Sequence, residues 1–174
     1  VVAQTGEYDE VHCVGYSLGG NVLLKYLGED WPKPKNLKSA IAVSSPIDLP
    51  SCVVEIHRRK NKLYHNVFLK TLKEKVAQKA ALMPEAFKVK VLENVKTLTD
   101  FDTHFTAPLH GFLSAQDYYN RASSKPFLHK IELPTLLLQA KDDPMLSEKC
   151  FPTEIAQNSE SIFLLVTEYG GHVA

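Results

Sequence analysis

Residues 15–19 read Gly-Tyr-Ser-Leu-Gly, a G-x-S-x-G pattern with a serine at its centre. An apolar run, Val11 to Tyr16, leads into it, and Val22, Leu23, Tyr26 and Leu27 follow at helical spacing. In that setting the serine occupies a strand-to-helix turn so abrupt that its backbone is strained and its hydroxyl stands at the carboxyl edge of a sheet. Gly15 and Gly19 are expected there because Cβ atoms would collide where strand and helix come close, and Gly20 adds room. The helix N-terminus aims the Leu18 N–H at an oxygen bound near Ser17, which makes one donor of an oxyanion hole. A serine hydroxyl attacks only when a neighbouring base takes its proton, and behind such a turn the chain order is Ser, acid, His. Both partners stand where that order requires. Ala-Lys-Asp-Asp-Pro (140–144) follows the apolar run PTLLLQ, and Glu-Tyr-Gly-Gly-His (168–172) follows IFLLV. His172 is the candidate base, on a loop that its glycine pair makes pliable. The acid is Asp142 or Asp143. Asp143, directly before Pro144, is preferred, with Asp142 capping the turn or facing solvent.

Three blocks must position these groups. Residues 1 to about 46 read as strand, turn, helix, strand, with SAIAVS (39–44) as the second strand. Such a unit implies parallel pairing with a right-handed crossover. The apolar run at 11–16 predicts a strand buried on both faces, and 39–44, 134–139 and 162–166 read as further buried strands. His12 is thereby placed on a buried strand. A helix is expected over 147–157. The middle block, 47–130, shows helical rather than strand patterning. Leu63, Val67, Phe68, Leu72 and Val76 predict an amphipathic helix over 61–82, and Pro84 opens another through Phe87, Val91 and Val95. Shorter helical pieces are expected at 101–105 and 115–121. The fold expected is thus α/β, a mostly parallel sheet interrupted by a helical insertion.

Longer stretches carry a family likeness: GYSLGGNVLLKYLGE (15–29), FDTHFTAPLHGF (101–112), AQDYYNRASS (115–124), PTLLLQAKDDP (134–144) and TEYGGHV (167–173). In these the chain resembles the YheT-like esterases of the α/β-hydrolase superfamily, and Ala140, two spacers and Asp143 match the usual acid turn of that superfamily. The resemblance implies Ser17, Asp143 and His172 as a triad, and hydrolysis of carboxylic esters, acyl-glycerol or phospholipid esters among them. It implies no metal and no organic cofactor. Proteins of this kind carry further strands before the elbow, with a His-Gly loop that supplies a second oxyanion donor, and a helix after the last histidine. The chain is therefore expected to be part of a larger hydrolase, a single α/β-hydrolase domain over 1–174 with 47–130 as its cap. Alternatives that the residues leave open are an acyltransferase of the same fold and a catalytically inert fragment or binding protein.

Composition narrows the rest. The 174 residues hold 20 basic and 20 acidic side chains, with no basic excess of the kind a nucleic-acid binder carries. No apolar run reaches the ~18 residues of a membrane span. Cys13, Cys52 and Cys150 are scattered and odd in number, read as free thiols in a reducing, cytoplasmic setting, with Cys13 a small core residue. The chain starts on Val1, so a leader or anchor ahead of it stays open. Charge is uneven within the cap: eleven Lys or Arg against three acids from Ile56 to Lys96. That surplus suits peripheral contact with anionic membrane surfaces, or simply a solvated helical face. Tyr16, Phe105, His110 and Phe112 are candidate substrate contacts; the aromatic groups among them serve packing equally well. His57, His65 and His129 read as surface residues, and the His and Cys spacings form no zinc pattern. The oligomeric state is not readable.

Overall fold

The computed structural model describes residues 6–83 and 89–173. Four strands, β1 (Val11–Tyr16), β2 (Leu37–Val43), β3 (Thr135–Ala140) and β4 (Ile162–Thr167), pair in parallel in the order β1-β2-β3-β4. Helix α1 (Leu18–Gly28) crosses from β1 to β2, and α7 (Thr153–Gln157) precedes β4. The chain divides into two compact units, Val1–Cys52 with Ala122–Ala174, and Val53–Arg121.

In the first unit one face of the sheet is covered. Leu24 and Leu27 of α1 pack with Ala40, Ala42, Leu137 and Ile162 of the strands and with Leu128, Leu146 and Cys150 of the loops. The other face is not. Register aligns Val14, Ile41, Leu136 and Phe163 in one row, and Tyr16, Val43, Leu138 and Leu165 in the next. Val14, Tyr16, Phe163 and Leu165 at the row ends are exposed. The expectation of two-face burial for β1, and of a buried strand for β4, therefore fails on this side: each is an edge strand, and nothing among the described residues of this unit packs on that face. His12 is exposed for the same reason, its Nδ1 2.7 Å from Ser39 Oγ.

The expected helix over 147–157 is split into a 3-10 turn (Glu148–Cys150) and α7. Pro152 between them lacks an amide proton and disfavours helical geometry at Phe151. Cys52 and Cys150, 98 residues apart, meet in the core with their sulfurs 3.2 Å apart. The hydrogen bond between the two thiols holds Cys150 down to about 7 and pushes Cys52 up.

A second tie closes the same unit across the insertion. The fully buried Asn21 of α1 donates to Ala122 O at 2.8 Å and accepts from Ser124 N–H at 2.8 Å. Ser123 Oγ accepts the Leu49 N–H at 2.9 Å, and Lys125 N–H donates to Ile47 O at 3.0 Å. Both ends of the middle block are thereby stitched to the sheet unit.

The second unit has no strand among its described residues. After α2 (Leu49–Ile56), which leads into it, comes α3 (Lys62–Leu82). The inward stripe of α3 is Leu69, Leu72, Val76 and Ala80, packed with Val95, Phe101 and Phe105. Leu63, Val67 and Phe68, expected on that stripe, are exposed instead. Both sides of the helix carry apolar residues, so periodicity alone fits either face. Pro84 and Phe87 lie outside the described residues. The part of the expected second helix that is described is a 3-10 turn, Val89–Asn94, followed by the buried Val95. A continuous helical run follows: α4 (Leu98–Phe101), a π turn (Asp102–Thr106) and α5 (Ala107–Leu109). Thr97 and Asp100 open it with a reciprocal capping box. In α6 (Ala115–Ala122) the Tyr119 hydroxyl donates to Asp102 at 2.6 Å. Burial raises the Asp102 carboxyl above its ordinary range.

Candidate active site

Ser17 lies between β1 and α1 with φ 49° and ψ −126°, a conformation that non-glycine residues rarely hold and that costs about 1–3 kcal/mol. Its N–H is fastened to Val43 O at 2.8 Å, and its carbonyl accepts from Gly20 and Asn21 at 3.0 and 3.2 Å. The Leu18 N–H therefore lies ahead of the helix's own donors, at the positive end of α1.

The glycines divide the work differently from expectation. A Cβ on Gly15 would stand 2.7 Å from Gly19 O and Gly20 Cα, and one on Gly20 would stand 1.9 Å from Ser45 Oγ and 2.9 Å from Gly15 O. A Cβ on Gly19 meets nothing within 4 Å. Strand and helix cross at Gly15 and Gly20, so Gly19 is not the packing residue. Gly20→Ala is expected to destabilise by about 1–3 kcal/mol, a fall of roughly 3–10 °C in melting temperature. Gly19→Ala should leave the melt unchanged or raise it slightly, since alanine favours a helix. Thermal unfolding of the two variants checks the assignment, and equal losses would overturn it.

The loop after β3 brings in the acid. Asp143 is buried, its N–H bonded to Ala140 O at 3.2 Å. Its Oδ1 accepts the Met145 N–H at 2.9 Å, and its Oδ2 lies 2.8 Å from His172 Nδ1. The other ring nitrogen, His172 Nε2, is 2.8 Å from Ser17 Oγ. An ionised carboxylate only accepts, so Nδ1 carries the ring proton and Nε2 is free to accept from the serine hydroxyl. Ser17, Asp143 and His172 thus converge from three loop positions at the carboxyl ends of β1, β3 and β4.

Three further side chains support this arrangement, and of them only Asp142 was singled out in the sequence. Asp142 is exposed but not idle: its Oδ1 accepts the Gly171 N–H at 2.8 Å, one residue before the histidine. Gly170 and Gly171 have φ of 155° and 58°, so the loop needs its glycines. Ser44, itself at φ 49°, accepts the Val173 N–H on its Oγ at 3.2 Å. Gln139, buried in β3, accepts from Ser45 N–H at 2.8 Å and donates to Ser45 O and Cys150 O at 2.9 and 3.0 Å. The visible signals were an acid doublet before proline and one polar residue closing an apolar strand.

Of the proposed substrate contacts, Tyr16 belongs to the first unit and Phe105, His110 and Phe112 to the second. Tyr16 is exposed, directly before Ser17. Phe105 is buried in the core of the second unit, its ring centroid 5.2 Å from that of Phe101, so its ring serves packing rather than a substrate. Phe112 is half-buried, 5.3 Å from the Tyr118 ring and 4.9 Å from the Arg121 guanidinium. His110 is exposed. Among the described residues no cluster of three or more His, Cys, Asp or Glu side chains is arranged to hold a metal ion.

Residues 2–174 match the family model described as the alpha/beta hydrolase fold. The chain belongs to the α/β-hydrolase family. It is 36% identical over 165 residues to the esterase-named YheT of Escherichia coli (strain K12), covering 92% of this chain and 47% of that protein. It is 31% identical over 160 residues to the phospholipase ABHD3 of Bos taurus, covering 91% of this chain and 39% of that one. The chain therefore spans about half the length, or less, of these curated relatives. Among solved structures it is similar to the Pyrococcus furiosus esterase Pf2001 (TM-score 0.50, 16% identity), covering 98% of this chain and 48% of that one, a likeness of fold. The YheT-like resemblance read from the sequence holds, and with it an α/β-hydrolase sheet.

Proposed function

We propose that this α/β-hydrolase is a serine esterase that works through an acyl-enzyme on Ser17. The observation that carries the reading is the pair of 2.8 Å contacts, Ser17 Oγ to His172 Nε2 and His172 Nδ1 to Asp143 Oδ2, around a strained serine. In the first step Ser17 Oγ attacks the carbonyl carbon of an ester while its proton passes to His172 Nε2. The Leu18 N–H donates to the oxyanion of the tetrahedral intermediate. The intermediate collapses, and the imidazolium gives its proton to the departing alcohol. Water then attacks the acyl-enzyme with His172 as base and releases the carboxylic acid. Asp143 keeps the ring in one tautomer and offsets its positive charge.

Carboxylic esters with short or medium acyl chains, or lipid esters, are the substrate class proposed. Relatives named esterase and phospholipase support it. Tyr16, exposed beside Ser17, is the proposed aromatic contact for the acyl group. No organic cofactor is called for by this chemistry. Incubation with a fluorophosphonate, followed by peptide mass mapping, tests the reading. The phosphonyl adduct is expected on Ser17 alone. An adduct on another residue, or none on a chain that also binds and turns over no ester, would sink it.

A further inference from the structure

The outward side of α3 breaks the rule that a surface helix turns polar residues to solvent. Leu63, Tyr64, Val67 and Phe68 are 74%, 44%, 55% and 39% exposed. Positions i, i+1, i+4 and i+5 share one side of a helix, so the four make a continuous apolar surface over its first two turns. Scattered apolar side chains on a protein surface are ordinary, but four large ones together on one helix face are not. The inward stripe of the same helix, Leu69, Leu72, Val76 and Ala80, is already filled by its own core, so these four play no part in that packing.

Charge says what covers them. From Arg58 to Lys79 the chain carries eight Lys or Arg and one acid, Glu74. Lys70 borders the apolar surface on one side, and Lys75 and Lys79 follow it along the helix in the line of Phe68, all exposed. Arg58 and Lys60 share Glu55, and Lys70 lies 3.9 Å from Glu74. Arg59, Lys62, Lys75 and Lys79 have no carboxylate partner among the described residues. An apolar strip edged by lysines whose stems are themselves apolar matches the interface of an anionic bilayer, where side chains enter the acyl boundary and ammonium groups reach the headgroups. The helix is not apolar enough to cross.

We propose that the outward face of α3 is a lipid-surface contact, with Leu63, Tyr64, Val67 and Phe68 entering an anionic bilayer and Lys70, Lys75 and Lys79 meeting its headgroups. A protein face would suit the apolar strip but would leave the surrounding cations to find acids of their own. This surface goes beyond the esterase reading and stands whether or not Ser17 is the nucleophile.

Flotation of the whole protein with vesicles tests it. Phosphatidylcholine vesicles, with and without about 30% phosphatidylserine, are compared at low salt and at ~0.5 M salt. Binding is expected on phosphatidylserine vesicles at low salt. Leu63→Gln with Val67→Gln and Phe68→Gln should lower the bound fraction about tenfold or more on every vesicle. Lys70→Glu with Lys75→Glu should remove the phosphatidylserine dependence. All five positions are exposed, so the variants should melt as the parent does; Phe68→Gln alone serves if the triple variant melts lower. A parent that never floats, or a triple variant that floats as well as the parent, overturns the proposal. A parent that is silent on vesicles but forms dimers broken by the triple variant would assign the face to a second copy instead.

Discussion

Ser17→Ala is expected to lower turnover of a chromogenic ester by about 10⁶-fold and to abolish fluorophosphonate labelling. The loss is large because the nucleophile and its base act as one unit. His172 Nε2 is 2.8 Å from Ser17 Oγ and has no other proton to take from this position. Whatever rate remains comes from substrate binding and from the Leu18 N–H, which stay in place. The substitution removes one oxygen and leaves the β1–α1 turn its glycine contacts, so folding should hold and the melt should not fall. Alanine without the hydroxyl still has to adopt φ 49°, and that strain is common to both proteins. Steady-state kinetics beside a melt make the comparison. A variant that keeps more than a trace of the parent's rate would exclude Ser17 as the nucleophile.

The second large effect separates two adjacent acids. Asp143→Asn is expected to lower kcat about 10⁴-fold. The direction follows from which oxygen does what. Asp143 Oδ1 accepts the Met145 N–H and Oδ2 faces His172 Nδ1. An asparagine keeps its oxygen where Met145 donates, so its NH₂ faces His172. That group donates, and the ring answers by moving its proton to Nε2. The serine then faces a donor instead of a base. Asp142→Asn should be near the parent, because an amide oxygen still accepts the Gly171 N–H. Asp142→Ala removes one exposed hydrogen bond and should cost about tenfold or less. Kinetics on the three variants decide the matter. Equal losses in Asp142→Asn and Asp143→Asn would leave the assignment without support.

The sequence made the elbow legible because G-x-S-x-G fell between an apolar run and a helical repeat, and a turn that tight admits few residue types. The four strands were legible as apolar runs, and each was found within about two residues. What could not be read was which residues lack cover. Val14, Tyr16, Phe163 and Leu165 look like core residues in a linear chain, and only the strand order shows them on an open face at the sheet edges. The helix over 62–82 was legible in extent but not in orientation, because Leu63, Val67 and Phe68 form one apolar side and Leu69, Val76 and Ala80 another. Gly19 and Gly20 were confused for a related reason: successive positions of a helix face directions about 100° apart, and only three-dimensional contact tells which direction is crowded. The doublet at 142–143 was legible as a pair, and of the two it is Asp143 whose carboxylate meets His172. The second job, held by Asp142, was not, because it depends on a backbone amide 29 residues away.

The stitching of Asn21 and Ser123 across the middle block bears on how such a chain changes over generations. Residues on either side of Val53–Arg121 are already held in place by hydrogen bonds made within the sheet unit. A segment hung between two fixed posts can be lengthened at small thermodynamic expense, about 0.6 kcal/mol for each doubling of a flexible loop. Ser17, Asp143 and His172, the proposed nucleophile, acid and base, all lie outside it. Replacement of the hung segment therefore leaves these three residues on the sheet unit that positions them, and selection can exchange the one without rebuilding the other.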